Sequence, residues 1–256
     1  MVFPLYDDNS DRTITPVINY AIIALNIFVF VVLQRLGSND QFTYAYSTVP
    51  LEILTGHDIV TDPQVVQYMG ERIVIPGLGP TYGSVYLTLF TSMFMHGGLA
   101  HIGGNMLFLW IFGDNIEDRV GHVKYVIFYL LCGVIASLAH VFATGVFAGD
   151  ERSLLVPSLG ASGAISGVLG GYILLFPTNR VTVLLSWFVT QVPAFIAIGL
   201  WFVFQLVNGL GMLGSGSQAG GVAYAAHIGG FIAGLVLIKI FEIGRQPPDR
   251  YYEREF

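Results

Sequence analysis

Apolar residues along this chain gather into separate long blocks divided by polar stretches. The first block runs from Val17 to Leu33, and the second from Val85 to Gly113. Small and polar residues, Met95-His96-Gly97-Gly98-Leu99-Ala100-His101, interrupt the second block, which splits it into a loop segment and a helix from about Leu99. The third runs from Tyr125 to Phe147, the fourth from Gly160 to Pro177, and the sixth from Val222 to Phe241. The fifth falls within Val183 to Leu210, where packed neighbours are expected to satisfy the backbone group freed by Pro193. Each block approaches the roughly 20 residues needed to cross about 30 Å of hydrocarbon. The stretch from Gln34 to about Ser84 is rich in Pro, Gly and acids and predicts an extramembrane loop. The expected architecture is an all-α, polytopic six-helix membrane bundle over residues 17–243. A cytoplasmic segment, 1–16, precedes it, a long outer loop covers about 34–98, and a cytoplasmic tail covers 244–256.

Composition agrees with a bilayer as solvent: 54% of residues are hydrophobic and 11% charged, far from the balance of a soluble domain. Six crossings put both termini on one side. Arg12, Arg119, Lys124, Arg180, Lys239, Arg245, Arg250 and Arg254 fall on that side, with Arg35, Arg72 and Arg152 opposite. Basic residues accumulate on the cytoplasmic face, so the termini are expected there. Losing or adding a helix would scatter these charges. The first sixteen residues carry Asp7, Asp8, Asp11 and Arg12 and lack a basic start, and no small-residue cleavage site follows the first block, so that block reads as a retained helix. Cys132 is the single cysteine, which removes intrachain disulfides and thiol-pair redox chemistry. The acidic excess gives no basic patch for nucleic acid.

Polar residues inside membrane spans are costly and usually face the bundle interior or a water-filled cavity. His101, Asn105, Ser162 and His227 stand out on this ground. At about 1.5 Å per residue, Ser162 lies about 22 Å above Pro177, His227 about 18 Å above Lys239, and His101 about 20 Å above Asp114. Their three helices all enter from the outer face, so these residues converge on one level, about 8 to 12 Å below the outer surface of the hydrocarbon. His101 and Asn105 are four apart and share a helix face. A serine hydroxyl needs a base to become nucleophilic, and His227 is the candidate. The oxyanion formed on attack at a peptide carbonyl would take donors from His101, Asn105 and the Ser162 backbone N–H. No Asp or Glu lies in the outer half of any expected span, so this is a dyad without a carboxylate. Gly163, Gly167 and Gly171, like Gly230 and Gly234, repeat every four residues and would let two helices approach closely.

Rival chemistries fail on spacing. His96 and His101 are five apart without the Glu of a zinc helix. Gly160-Ala161-Ser162-Gly163-Ala164 lacks the last glycine and the strand–helix context of a nucleophile elbow. Paired intramembrane aspartates are absent. Taken singly, a serine in a glycine-rich helix is ordinarily packing, and a buried histidine such as His140 is ordinarily a core residue.

Together the residues resemble the rhomboid family. Gly160-Ala161-Ser162-Gly163 resembles its GxSG motif, and Ala226-His227-Ile228-Gly229-Gly230 its AHxGG segment. His96, His101 and Asn105 match its second-helix signature, and the run from Gly104 to Asp118 is similar to the family's. The resemblance covers about Thr88 to Gly234. It implies a rhomboid-like bundle of six helices with a cavity open to the outer face, and acyl-enzyme hydrolysis without metal or cofactor. It further implies Ser162 as nucleophile, His227 as base and later acid, His101 with Asn105 as oxyanion donors, and His96 as a residue supporting the loop before the second helix. The implied partners are single-span membrane proteins in a lipid bilayer, and the compact form suggests a prokaryotic plasma membrane. Two departures from better-known members stand out. Leu87 and Thr88 stand where many carry Trp-Arg. Ser166 replaces an aromatic residue that some stack on the catalytic histidine, a role for which Tyr172 or a neighbouring aromatic is the expected substitute. A catalytically silent binder of membrane helices is the alternative reading.

Overall fold

The computed structural model describes residues 2–68, 71–147, 151–185, 187–215 and 224–244. Strand β1, Val2–Asp7, leads into α1, Val17–Phe28, which continues through a wider π-type turn, Val29–Leu33. The expected outer loop contains two short helices, α2 (Asp40–Ala45) and α3 (Pro50–Thr55), and a hairpin of β2 (Gln64–Tyr68) with β3 (Glu71–Ile75). Helix α4, Thr88–Thr91, precedes the long helices α5 (Leu99–Val120) and α6 (His122–Phe147). Helix α7, Ser162–Leu175, is followed by β4 (Arg180–Leu185) and β5 (Phe188–Pro193), then α8 (Ala194–Ser215) and α9 (Tyr224–Glu242).

Two of these helices, α6 and α9, are long and apolar enough by length and composition to cross a membrane. Helix α5 is as long but ends in Asp114, Glu117, Asp118 and Arg119. On α9, Ile232, Val236 and Ile240 follow one another at helical spacing and are at least half exposed, a stripe suited to lipid tails and unsuited to water.

The architecture corrects the all-helical expectation in one region. Val183 to Pro193 is not the start of the fifth span. It belongs to an antiparallel sheet in the order β1-β4-β5, with Pro4 opposite Val183 and Arg180 opposite Pro193. β-branched Val181, Thr182, Val183, Val189, Thr190 and Val192 suit this pleated pairing. Pro193 closes β5 immediately before α8, where its missing N–H breaks no helical bond. Similarly, α7 starts at Ser162, two residues after the expected Gly160. The expected start of the sixth span, Val222, and residues 245–256 of the tail lie outside the described residues.

The sheet ties the N-terminal segment under the bundle. Asp7 is buried and accepts hydrogen bonds from Tyr172 Oη (2.7 Å) and from the Asn115 side-chain amide. Arg12 pairs with Asp114 at 2.8 Å, Asp118 accepts from the backbone N–H groups of Thr13 and Ile14, and Glu117 accepts from those of Ile18 and Asn19. The acidic end of α5 thereby supplies partners for the orphan donors at the start of α1. Arg119 pairs with Glu242, and Lys124 donates to the carbonyls of Phe241 and Ile243, which ties the start of α6 and the end of α5 to the end of α9.

The core lies between α5, α6, α7 and α9, around Phe112, Phe128, Tyr129, Cys132, Leu169 and Tyr172. Glycines set the approach of α7 to α9. A methyl added at Gly230 would overlap the carbonyl oxygen of Gly163, and one at Gly234 would overlap that of Gly167. Backbones in such contact hold residues near the tops of both helices in fixed relation.

Candidate active site

Ser162 opens α7 and His227 lies one turn into α9, so the glycine-mediated contact between these helices carries both side chains. His227 Nε2 is 2.8 Å from Ser162 Oγ, a hydrogen bond between half-buried groups. The other ring nitrogen, Nδ1, is 2.8 Å from Gln205 Oε1 on α8. Gln205 is 6% exposed, too buried for water to replace that bond readily. Sequence reading passed over it because a Gln among apolar residues carries no motif. Its only signal was a polar residue inside a span, the criterion that selected the other four.

His101 and Asn105 approach the same spot from α5. Gly160 has a φ of +121°, in a region that disfavours a side chain, and a Cβ there would lie 2.8 Å from His101 Nε2 and 3.6 Å from Asn105 Nδ2. Both donors thus crowd the backbone two residues before Ser162. The Gly97 N–H donates to His101 Nδ1 at 3.3 Å, which requires the neutral ring to carry its proton on Nε2, the nitrogen nearest Gly160. Asn105 Nδ2 is buried without a hydrogen-bond partner among the described residues. A buried, unsatisfied donor costs about 1 to 3 kcal/mol and marks a place where an acceptor would be welcome.

His96 is fully buried, and its ring meets that of His101 edge to face at 5.2 Å. Its backbone is clamped by another buried residue absent from the sequence reading. Gln34 accepts from the His96 N–H at 2.9 Å and donates to the His96 carbonyl at 2.9 Å. The loop before α5 is thereby fastened to the end of the first helix.

One expectation about the surroundings of His227 changes. Tyr172 does not substitute for a stacked aromatic residue, because its hydroxyl bonds Asp7 under the bundle. Trp201 on α8 is the aromatic neighbour, 6.0 Å from the imidazole between ring centroids and tilted by 39°. Ser166 turns its hydroxyl back to the Ser162 carbonyl at 2.6 Å. Beside Ser162, on the side of α6, opens a small cleft lined mostly by small residues that include Gly133, Ala136, Ser137 and Gly163, together with Met93 and Leu159. Among the described residues no group of three or more His, Cys, Asp or Glu is placed to hold a metal ion.

Comparison with known proteins bears on these residues. Residues 83–242 match the model of the Rhomboid domain, a span that includes every site residue named above except Gln34. The chain is 31% identical to the mitochondrial Rhomboid protein 1 of Saccharomyces cerevisiae over 155 residues, covering 60% of this chain and 42% of that protein. It is 32% identical to the rhomboid protease GluP of Bacillus subtilis over 147 residues, 57% of this chain and 24% of GluP. Its identity with the human mitochondrial presenilin-associated rhomboid-like protein is 30% over 156 residues, 57% of this chain and 36% of that one. The chain therefore spans less than half the length of each of these relatives.

Proposed function

The chain belongs to the rhomboid family of polytopic, helical integral membrane proteins, and on that premise we propose that it is an active intramembrane serine endopeptidase. The observation that carries the proposal is the hydrogen bond of 2.8 Å between Ser162 Oγ and His227 Nε2, inside an apolar bundle. In the proposed reaction His227 takes the proton from Ser162 as the oxygen attacks the scissile carbonyl. The negative oxygen that develops is met by His101, Asn105 and the Ser162 N–H. His227 then gives its proton to the leaving amine, and water hydrolyses the acyl-enzyme by the reverse sequence of proton transfers. Fixed donors in a medium of low dielectric are worth more than the same donors in water.

The proposed substrates are transmembrane helices that unwind near small residues. The cleft beside Ser162, small and walled mostly by glycine, alanine and serine with Met93 and Leu159, supports a small side chain next to the cleaved bond. We further propose six crossings with cytoplasmic termini in a prokaryotic plasma membrane. The basic residues gathered where α5, α6 and α9 meet the N-terminal segment support that orientation.

The test is reaction of the detergent-solubilised protein with a fluorophosphonate, followed by mass spectrometry of the labelled peptide. Label on Ser162 in the wild type and none on Ser162→Ala is the expected result. A folded wild type that takes no label would leave the family's non-catalytic role, binding of membrane helices, as the better description.

A further inference from the structure

We propose that Gln205 is a positioning residue for His227, holding the imidazole in the one neutral tautomer that can accept the proton of Ser162. The proposal rests on the protease reading above. For Nε2 to accept from the serine, the neutral ring must carry its proton on Nδ1. In a bundle with little water that N–H needs an acceptor, because an unpaired polar group costs about 1 to 3 kcal/mol there. Across the outer half of the spans no carboxylate is at hand to serve. Gln205 Oε1 lies 2.8 Å from Nδ1, and the side chain is 6% exposed. The carbonyl oxygen accepts, so the amide dipole opposes the tautomer protonated on Nε2, which would donate to Ser162 and leave the serine without a base.

Position on α8 strengthens the assignment. Trp201 and Gln205 are four residues apart and share one helix face, and both meet His227: the indole flanks the ring and the amide holds its edge. Helices α7 and α9 fix the distance between Ser162 and His227, while α8 fixes the rotation of the imidazole about its own bond. During attack the same oxygen faces the imidazolium as a neutral acceptor. It orients the cation but balances less of its charge than a carboxylate would.

Three readouts separate this role from simple packing. Gln205→Met keeps bulk and removes the acceptor; kcat is expected to fall about 10- to 100-fold, with KM little changed, since only the proton-accepting step is impaired. Gln205→Glu restores an acceptor and adds a charge, so activity is retained and the acidic limb of the kcat profile moves to higher pH. Nitrogen-15 spectra of histidine-labelled protein, with the His227 signal assigned by its loss in His227→Ala, are expected to show protonation on Nδ1 in the wild type and a shift toward Nε2 in Gln205→Met. Wild-type kcat in Gln205→Met, an unmoved acidic limb in Gln205→Glu, or an Nε2 proton in the wild type would each overturn the role. The spectra read the tautomer whether or not the chain cleaves a peptide. An inert wild type with an Nδ1 proton that shifts in Gln205→Met would therefore sink the protease reading and keep the tautomer assignment.

Discussion

At the scale of single residues, the hydroxyl of Ser162 differs from that of Ser166, four residues further along the same helix, only in what it meets. Ser166 spends its proton on the carbonyl of the preceding turn. Ser162, at the first position of α7, faces an imidazole. The proposed roles make distinct demands. His227→Ala removes the base that is hydrogen-bonded to Ser162, and peptide cleavage is expected to fall on the order of 10⁴-fold with the fold retained. Asn105→Ala removes one of several donors to the oxyanion, and kcat is expected to fall on the order of 10²-fold with KM little changed. Equal losses in the two variants, measured on one transmembrane substrate, would contradict this division of labour. His101, Asn105, Ser162 and His227 were legible in the sequence because polarity inside an apolar block is expensive and so conspicuous. Gln205 obeys the same rule and Gln34 stands just past the end of the first block, but without a motif nothing in the sequence said which side chain each would meet.

Elements show a different balance. The fourfold glycine spacing on α7 and α9 announced a close contact, and the carbonyls of Gly163 and Gly167 do lie where side chains at Gly230 and Gly234 would have to go. Replacing Gly234 by Val must therefore move a backbone and not merely a side chain. Thermal unfolding is expected to show a loss of at least about 1 to 3 kcal/mol, with reduced labelling of Ser162 even in the molecules that remain folded. The strands were harder to see. Val181 to Val192 is as apolar as a span, and hydropathy does not separate a β-branched strand from a helix. Pairing with β1, far away in the sequence, decided the matter.

For the whole molecule, the sheet and the acidic end of α5 strap the N-terminal segment beneath the bundle. Burial, assisted by the charge of Asp114, pushes Asp7 up to about 7, although the hydrogen bonds from Tyr172 and Asn115 pull the other way. The folded chain therefore holds a proton on Asp7 that the unfolded chain releases near 3.8. Between these two values the contribution of Asp7 to stability falls as pH rises, and above about 7 it levels off. Relative to Asp7→Asn, which keeps an acceptor oxygen but cannot ionise, the melting temperature of the wild type is expected to be lower at pH ~8 than at pH ~5. An unchanged slope in the variant would assign the pH dependence to other groups. By itself the sequence determined that the chain belongs in a bilayer, because burial of so much apolar surface has no alternative. It also singled out the polar residues at one depth, because helical rise converts spacing into height. Tertiary structure alone decided which of those residues touch, that Gln205 faces His227, and that a strand from the N-terminus lies against one from beyond α7. Such contacts depend on the rotation and pairing of elements distant in sequence, which neither hydropathy nor periodicity encodes.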